Sequence, residues 1–244
     1  MAQPRVALVI PTLNEEEVIG GVIAGVPRAA VHDIIVVDSG STDCTVECAR
    51  AAGARIVSLR ERGYGRACRA GAEAAENCDI VVFLDGDGSD CPALIPRLVE
   101  PIAEGRCDFV IGSRIRGERE PGSMTAHQLL AGRMIGSALR LLYGVRYTDM
   151  CPFRAIRIDA LKQLSMKEET YGWNIEMQMK AARGRFRILE VPVAHRCRTG
   201  GVSKVSGTFR GTFLAGARIV ATLMRIALRP LSPGGKTFTA NLKN

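Results

Sequence analysis

The sequence predicts an α/β fold in which helices cover both faces of a doubly wound, mostly parallel β-sheet. Three observations support this prediction. Through residue 112, strand-like and helix-like segments alternate about every twenty residues, which is the pattern of repeated βαβ units. The strand-like segments are short and uniformly apolar, as expected for strands that are buried on both faces. Polar loops directly follow three of these strands, at Pro11, Asp38 and Asp85.

Strands and helices alternate in the predicted structure up to residue 112. The predicted strands are 6–10, 34–37, 55–59, 80–84 and 109–112, and the helices between them are 15–26, 45–51, 63–76 and 92–103. Asn14 is expected to cap the first helix, because its side chain can accept hydrogen bonds from the free N–H groups of the first turn. The carboxyl ends of parallel strands lie at one edge of a sheet, where open α/β folds bind ligands. The three polar loops are therefore expected to meet there.

The strand at 80–84 ends in two aspartates, Asp85 and Asp87, separated by one glycine. Two carboxylates this close repel each other, and a divalent cation is the usual way to satisfy both. Hard oxygen ligands favour Mg²⁺ or Mn²⁺, which often bridge to substrate phosphates. A solvated Asp-Gly turn explains the two residues equally well when they are taken alone. The pair Gly63 and Gly65 lacks the third glycine of the dinucleotide fingerprint, so a dinucleotide site is not indicated.

After Arg114 the regular alternation stops. A loop rich in charge and glycine, 114–122, precedes a helix predicted at 124–143. Its 3.6-residue periodicity gives it an apolar face made of Leu129, Leu130, Met134, Ile135, Ala138, Leu139 and Leu142. The loop 148–154 leads into a short strand, and the remaining elements are predicted helices at 159–164 and 172–182, a strand at 186–193 and a basic loop at 195–204.

Charge is distributed unevenly along the chain. The formal net charge is +8, and residues 180–244 contain 13 Lys and Arg but one acid, Glu190. Such a basic segment predicts a phosphate-rich ligand, an anionic membrane surface or nucleic acid as the binding partner. Nucleic acid is disfavoured, because aromatic residues that could stack on bases make up only 5% of the chain.

The cysteine pattern and the hydropathy of the chain exclude further classes. The eight cysteines are scattered without a C-x-x-C pair, so neither a zinc site nor a disulfide framework is predicted, and a reducing compartment is expected. The apolar run at 6–10 leads straight into Pro11 and Asn14, which is not the pattern of a signal peptide. No run of 18 or more apolar residues lacks a charge, so no transmembrane helix is expected.

The last predicted helix, 208–228 within a basic amphipathic segment 206–229, combines a broad apolar surface with a basic stripe. At about 100° per residue, four arginines fall within roughly 100° of one another: Arg210, Arg218, Arg225 and Arg229. This pattern is typical of a helix that lies on a membrane surface. A helix packed on the domain with a solvated Arg edge, or one that pairs in a homodimer, is the alternative. The tail 230–244 is expected to be disordered.

Assembled in order, these segments resemble the family 2 glycosyltransferases of the GT-A fold, and among them most closely the dolichyl- or polyprenyl-phosphate sugar synthases. The resemblance covers residues 6–205, nearly the whole predicted folded chain. Seven motifs carry it: PTLNEEE at 11–17, VVDSGSTDCT at 36–45, RGYGRACRAG at 62–71, FLDGDG at 83–88, GSR at 112–114, TDMCPFRA at 148–155 and RTGGVSK at 198–204.

The resemblance implies a pocket for the nucleotide of a nucleotide-sugar donor. Pro11, Leu13 and Glu15 would line this pocket, and the carboxylate of Asp38 would accept a hydrogen bond from the base. Glu15 has a second interpretation, as a first-turn acid that only stabilises the following helix.

The resemblance also implies that Asp85 and Asp87 bind Mg²⁺ or Mn²⁺, which would bridge the donor diphosphate and stabilise the leaving nucleoside diphosphate. Arg198 and Lys204 would reach the same diphosphate, although Arg198 could equally be a solvated loop charge. The chain departs from the synthases at Ser89, where they usually carry glutamine, so any contact made by that longer amide is in doubt.

For the acceptor, the resemblance places Arg114 and Arg133 where such synthases hold a phosphate, so both are predicted to act in catalysis alongside Asp87. Ordinary surface or packing roles are the alternative for both arginines. Trp173 and Glu176 fall in the segment that contacts the donor sugar or the acceptor in related enzymes. Glu176 could instead be a structural ion-pair partner.

These inferences predict a GT-A domain at 1–205, with a nucleotide-sugar half at 1–112 and an acceptor half at 113–205. We expect transfer of glucose or mannose from UDP or GDP to a polyprenyl phosphate, by a peripheral protein on the cytoplasmic face of the membrane. Transfer to a soluble organic acid or sugar is the alternative. His127 and His195 have no partner pattern and are expected to be structural.

Overall fold

A computed structural model describes residues 3–198, 200 and 209–228. The strands are β1 (Val6–Thr12), β2 (Asp33–Asp38), β3 (Arg55–Ser58), β4 (Ile80–Phe83), β5 (Phe109–Ser113), β6 (Arg154–Arg157) and β7 (Ile188–Pro192). The helices are α1 (Ile19–Ala24), α2 (Thr45–Ala51), α3 (Tyr64–Ala74), α4 (Ile95–Ala103), α5 (Ala126–Tyr143), α6 (Ile158–Leu164), α7 (Trp173–Arg183) and α8 (Phe209–Ala227). A 3₁₀ turn at Pro92–Leu94 leads into α4.

The seven strands form one sheet in the order β3-β2-β1-β4-β6-β5-β7. Strand β6 runs antiparallel to both of its neighbours, β4 and β5, and the other pairs are parallel. The predicted α/β class with a mostly parallel sheet is therefore confirmed. From β1 the order runs to β2 on one side and to β4 on the other. Such a switch point opens a crevice at the carboxyl ends of these two neighbouring strands.

Two local predictions about helices were wrong. Asn14 does not cap a helix: its φ is 53°, its side chain accepts a hydrogen bond from the Thr42 N–H at 2.9 Å, and α1 begins only at Ile19. In α5, the apolar residues Leu130 and Met134 are 59% and 64% exposed. The helix instead turns Gly132 and Gly136 inward. A Cβ added to Gly136 would lie 2.1 Å from the Tyr147 carbonyl oxygen, so only glycine allows this close approach.

The predicted basic stripe of α8 is turned at least partly toward the domain. Within the described residues, Arg218 Nε lies 2.8 Å from Glu168 Oε1, and Arg225 Nη2 lies 3.2 Å from Glu168 Oε2. The Thr222 hydroxyl also donates to Glu168, whose side chain is buried. Burial alone would raise the pKa of the Glu168 carboxyl, but hydrogen bonds from Arg218, Thr170 and Thr222 lower it below its usual value. Glu168 therefore fastens α8 to the body of the protein.

The other residues of the stripe, Arg210 and Arg229, and the predicted tail fall outside what the structure describes at the side-chain level. Among the described side chains of α8 and of the residue that follows it, the exposed large apolar ones are Val220, Met224 and Leu228. None of the described helices is both long and apolar enough to cross a bilayer.

Replacing Glu168 by glutamine should destabilise the fold by about 1–3 kcal/mol, because a buried carboxylate and its charged hydrogen bonds are lost. The matched control is Glu169→Gln. Glu169 also pairs with an arginine, Arg66, at 2.6 Å, but its side chain is 42% exposed. An exposed ion pair of this kind contributes about 0–1 kcal/mol to the free energy of unfolding. Urea unfolding of both variants gives the comparison, and equal losses of stability would show that the attachment of α8 contributes nothing.

Candidate active site

A cavity of about 740 Å³ opens at the carboxyl ends of the strands. The loop after β1 contributes Pro11, Leu13 and Glu15, and the loop after β4 contributes Asp85 and Asp87. The start of α3 and the two residues before it add Arg62, Gly63 and Tyr64. Residues C-terminal to 112 form another part of the wall: Arg114, Gly122, Ser123, Thr125, Gln128, Pro152, Thr170, Tyr171, His195, Arg196, Cys197 and Arg198. The cavity is thus built by both of the predicted halves.

Asp85 lies at the buried end of this cavity. Its Oδ1 atom is buried and has no hydrogen-bond partner in the part of the chain that the structure describes. Burial raises the pKa of the Asp85 carboxyl to about 8, and the charges of Asp87 and Asp90 add to the rise. A carboxylate in these surroundings needs a positive charge, because burial and two acidic neighbours all disfavour ionisation.

Asp87 is held in place by its neighbours. The Ser89 hydroxyl donates to Asp87 Oδ1 at 2.6 Å, and the Ser89 N–H donates to the same atom at 3.0 Å. On the other carboxylate oxygen, Arg198 Nη2 lies 2.7 Å from Asp87 Oδ2. Arg198 Nη1 also lies 3.4 Å from Glu15 Oε1. Ser89 therefore orients Asp87, and Arg198 pairs with two acids of the cavity, Asp87 and Glu15.

His195 is a cavity residue that the sequence interpretation missed. The backbone at Asp90 and at Arg119 forms bridges to His195, which bring the imidazole to the loop after β4. His195 Nδ1 lies 3.4 Å from Asp90 Oδ1, and both side chains are buried. Among the described residues, neither His195 Nδ1 nor either carboxylate oxygen of Asp90 has a hydrogen-bond partner. The only signal in the sequence was the position of His195 at the start of the basic loop.

These donors fit a divalent cation. Asp85 and Asp87 supply hard oxygen ligands, and the orphaned Asp85 Oδ1 lacks the positive charge that a cation would provide. Among the described residues, no three His, Cys, Asp or Glu side chains form a ready-made metal site. Mg²⁺ usually keeps waters and substrate phosphates among its ligands, so the protein needs to supply only part of the coordination shell.

The affinity for Mn²⁺ should rise with pH up to about 8, which is where burial places the pKa of Asp85. Below that pH the metal-free Asp85 carboxyl holds a proton, and a cation must displace it. Each pH unit should therefore improve affinity by up to about tenfold. Calorimetry in buffers of different ionisation enthalpy would detect the released proton. Asp85→Asn should abolish this release, and a pH-independent affinity of the unsubstituted protein would contradict the expectation.

Arg114 directly follows β5 and also lines the cavity. Its Nε and Nη2 atoms bind the two carboxylate oxygens of Asp149, each at 2.8 Å. Burial opposes the charge on Asp149, but the hydrogen bonds from Arg114 lower the pKa of its carboxyl. Glu190 in turn accepts hydrogen bonds from the N–H groups of Thr148 and Asp149. The Arg114 guanidinium is therefore fixed in one orientation.

Three other predicted residues do not line the cavity. Arg133 is exposed on α5, where Gln128, more than one turn earlier, forms the wall. Trp173 is buried against Phe83, with the two rings edge to face at 6.2 Å between centroids. Glu176 is buried and accepts hydrogen bonds from the N–H groups of Lys167 and Glu168, which favours the structural alternative. In the same segment, the residues that do reach the cavity are Thr170 and Tyr171.

Two further residues, Asp38 and Lys204, were predicted to contact the donor. Asp38 does not line the cavity. Its carboxylate accepts hydrogen bonds from the N–H groups of Gly40 and Ser41 and from the Ser41 hydroxyl, and its neighbour Ser39 forms the wall. A hydrogen bond to a base would have to compete with these donors. Lys204 lies outside the described residues.

The sheet, its switch-point cavity and the Asp-Gly-Asp loop define a class, and the comparison with known proteins agrees with it. The family model for glycosyl transferase family 2 matches residues 7–165. The chain belongs to this family and is a glycosyltransferase.

Two relatives illustrate its neighbours in sequence. An uncharacterised glycosyltransferase of Mycobacterium tuberculosis is 36% identical over 218 residues, covering 88% of this chain and 96% of the relative. The undecaprenyl-phosphate mannosyltransferase of Micrococcus luteus is 34% identical over 227 residues, covering 85% of this chain and 90% of that protein.

A solved structure with the same fold is glucosyl-3-phosphoglycerate synthase from Mycobacterium tuberculosis, crystallised with Mn²⁺, uridine diphosphate and glucosyl-3-phosphoglycerate. The TM-score is 0.74 at 27% identity, and the match covers 94% of this chain and 82% of that chain.

Proposed function

We propose that this protein transfers a hexose, glucose or mannose, from a UDP or GDP sugar to a polyprenyl phosphate, with inversion at the anomeric carbon. One observation carries the proposal: two of the arginines that line the cavity are held by different acids. Arg198 contacts Asp87, one of the two aspartates that would bind the metal, whereas Arg114 is fixed by Asp149. Two cations with different partners suit two anions, the diphosphate of the donor and the phosphate of the acceptor.

On the donor side, Pro11 and Leu13 would contact the nucleoside, and Arg198 and Lys204 would bind the diphosphate. When bound at Asp85 and Asp87, Mg²⁺ or Mn²⁺ would neutralise the charge that develops on the leaving nucleoside diphosphate. Arg198 contacts Asp87, so its guanidinium lies beside the residues that would hold the cation and could bind the diphosphate oxygens there.

On the acceptor side, a phosphate oxygen attacks the anomeric carbon while the bond from that carbon to the diphosphate oxygen breaks. The acceptor phosphate needs no general base, because its second pKa is about 6 and it is ionised at neutral pH. Arg114 would hold it in line for the attack. Arg133 would have to reach the phosphate from outside the cavity wall, and its role stays a prediction.

The name of the Micrococcus luteus relative, an undecaprenyl-phosphate mannosyltransferase, supports a lipid acceptor. The exposed apolar residues of α8 support contact with a membrane, on which a polyprenyl chain resides. The second candidate is transfer to a soluble phosphorylated acid. The likeness to glucosyl-3-phosphoglycerate synthase favours it, since that structure contains a soluble glycosylated phosphoacid.

A panel of UDP and GDP sugars with Mn²⁺ tests both candidates. Each donor is incubated with a short polyprenyl phosphate, with 3-phosphoglycerate or with no acceptor, and the products are identified by mass spectrometry. Metal-dependent glycosylation of the lipid supports the proposal. Glycosylation of 3-phosphoglycerate alone would replace it with the second candidate, and donor hydrolysis without transfer to either acceptor would reject both.

A further inference from the structure

Helix α5 has an exposed face that the catalytic cavity does not use. At about 100° per residue, Leu130, Met134 and Leu141 lie within roughly 40° of one another. Their exposed fractions are 59%, 64% and 88%. Arg133 and Arg140 are also exposed and flank one edge of this apolar stripe. We call these five residues the α5 face.

The opposite side of α5 is the packed one. Gly132, Gly136 and Leu139 are buried, and the helix packs against α7. A strong capping box fixes its N-terminus, because the Thr125 hydroxyl accepts from the Gln128 N–H while the Gln128 side chain accepts from the Thr125 N–H. The α5 face is therefore a fixed surface of an ordered helix.

We propose that the α5 face docks on an anionic phospholipid bilayer. Its composition is that of an interfacial helix, with apolar residues in the centre and arginines at the edge. Residues 126–147 contain three arginines and no acid, so the charge of this segment complements anionic lipid headgroups.

A second copy of the chain is a poorer occupant. In a two-fold dimer formed through the α5 face, each copy would place Arg133 and Arg140 against the same patch of its partner. No acid of that segment would be present to pair with them, and like charges across an interface are unfavourable. A lipid surface supplies the negative charge that this dimer lacks.

Two features join the α5 face to the rest of the molecule. Thr125 and Gln128, in the first turn of α5, line the catalytic cavity, so a docked α5 would hold the cavity near the headgroups. Arg183 of α7 donates to the Ile226 carbonyl of α8. Burial raises the pKa of the Tyr143 hydroxyl of α5, and the nearby charge of Arg183 opposes that rise. Residues near the C-terminal ends of α5 and α8 therefore both lie close to Arg183.

The first test measures co-sedimentation of the full chain with vesicles of phosphatidylcholine and phosphatidylglycerol. Arg140→Glu should weaken binding by about tenfold or more. The matched control is Arg97→Glu, which makes the same change of charge at an exposed position of α4, a helix that packs on the sheet. Absence of vesicle binding, or an equal loss in both variants, would overturn the proposal.

The second test locates the contact. Leu141→Trp places a fluorophore at the most exposed position of the α5 face, and the chain's only native tryptophan, Trp173, is 1% exposed. Brominated phospholipids should quench the new tryptophan and leave Trp173 bright. Vesicle binding without this quenching would show that α8 or another surface docks instead. Sedimentation of a dimer that Leu141→Ser dissociates, with no vesicle binding, would assign the α5 face to a second copy.

The vesicles contain neither polyprenyl phosphate nor nucleotide sugar. A failure of docking therefore leaves the proposed acceptor untouched, and a soluble acceptor would not remove the docking.

Discussion

Replacing Asp87 by asparagine should reduce sugar transfer by about 10³-fold, the cost of losing a principal source of charge stabilisation on the leaving group. Asparagine has the same shape and can still accept the hydrogen bonds that Ser89 donates to Asp87 Oδ1. It lacks the negative charge that would hold a cation and that contacts Arg198 at 2.7 Å. The fold should be unaffected, and the loss should appear in the chemical step and in affinity for Mn²⁺.

Asp159→Asn is the matched control, since the side chain of Asp159 is 61% exposed in the first turn of α6 and lies outside the cavity wall. Rates of transfer and calorimetric titrations with Mn²⁺ and uridine diphosphate should be measured for both variants. Metal-dependent transfer by Asp87→Asn at close to the original rate would show that the Asp-Gly-Asp loop does not bind the metal.

The sequence located the part of the site in which polar residues directly follow a predicted strand. The run at 80–84 is apolar on both faces, and such a run is a buried strand whose end must lie at the edge of the sheet. This reasoning predicted that the loops at Pro11, Asp38 and Asp85 meet, and the structure brings Pro11, Asp85 and Asp87 into one cavity but leaves Asp38 outside its wall. Register within a parallel sheet then brings the loops together without any further information.

Contacts between distant segments could not be predicted in this way. Strand β6 enters between β4 and β5 in the antiparallel direction, and a run of apolar residues carries no information about direction or neighbours. His195 reaches Asp90 through a bridge between distant loops. The sequence shows only an isolated histidine in a basic loop, which is more often structural.

The prediction of which side of α5 packs against the domain was also wrong, because glycines form much of the packed side. Periodicity gives most weight to large apolar residues, so Leu130 and Met134 were placed on the apolar face together with Leu139. Close approach of the backbone of Tyr147 at Gly136 instead places this side of α5 inward and the two large residues outward. Arg133, which the resemblance placed at the acceptor phosphate, is exposed on α5, whereas Gln128 of the same helix lines the cavity.

Asp149→Asn should destabilise the protein by about 3–5 kcal/mol, because it leaves the guanidinium of Arg114 buried without its charged partner. The side chains of Arg114 and Asp149 are 15% and 2% exposed. A nearly identical bidentate pair provides the control. Arg187 Nε and Nη2 bind Asp108 at 3.0 and 2.8 Å, but the Arg187 side chain is 41% exposed. Asp108→Asn should therefore cost less, about 1 kcal/mol.

The same pair of variants separates stability from function. If Arg114 binds the acceptor phosphate, loss of its orienting carboxylate in Asp149→Asn should raise the KM for the acceptor and leave the affinity for uridine diphosphate unchanged. Asp108→Asn should change neither, because Asp108 lies outside the cavity wall. Urea unfolding gives the stabilities, and transfer kinetics at a temperature where both variants are folded give the KM. An unchanged acceptor KM in Asp149→Asn would assign Arg114 to packing, because an arginine that binds the acceptor phosphate cannot lose its orienting carboxylate without consequence for that phosphate.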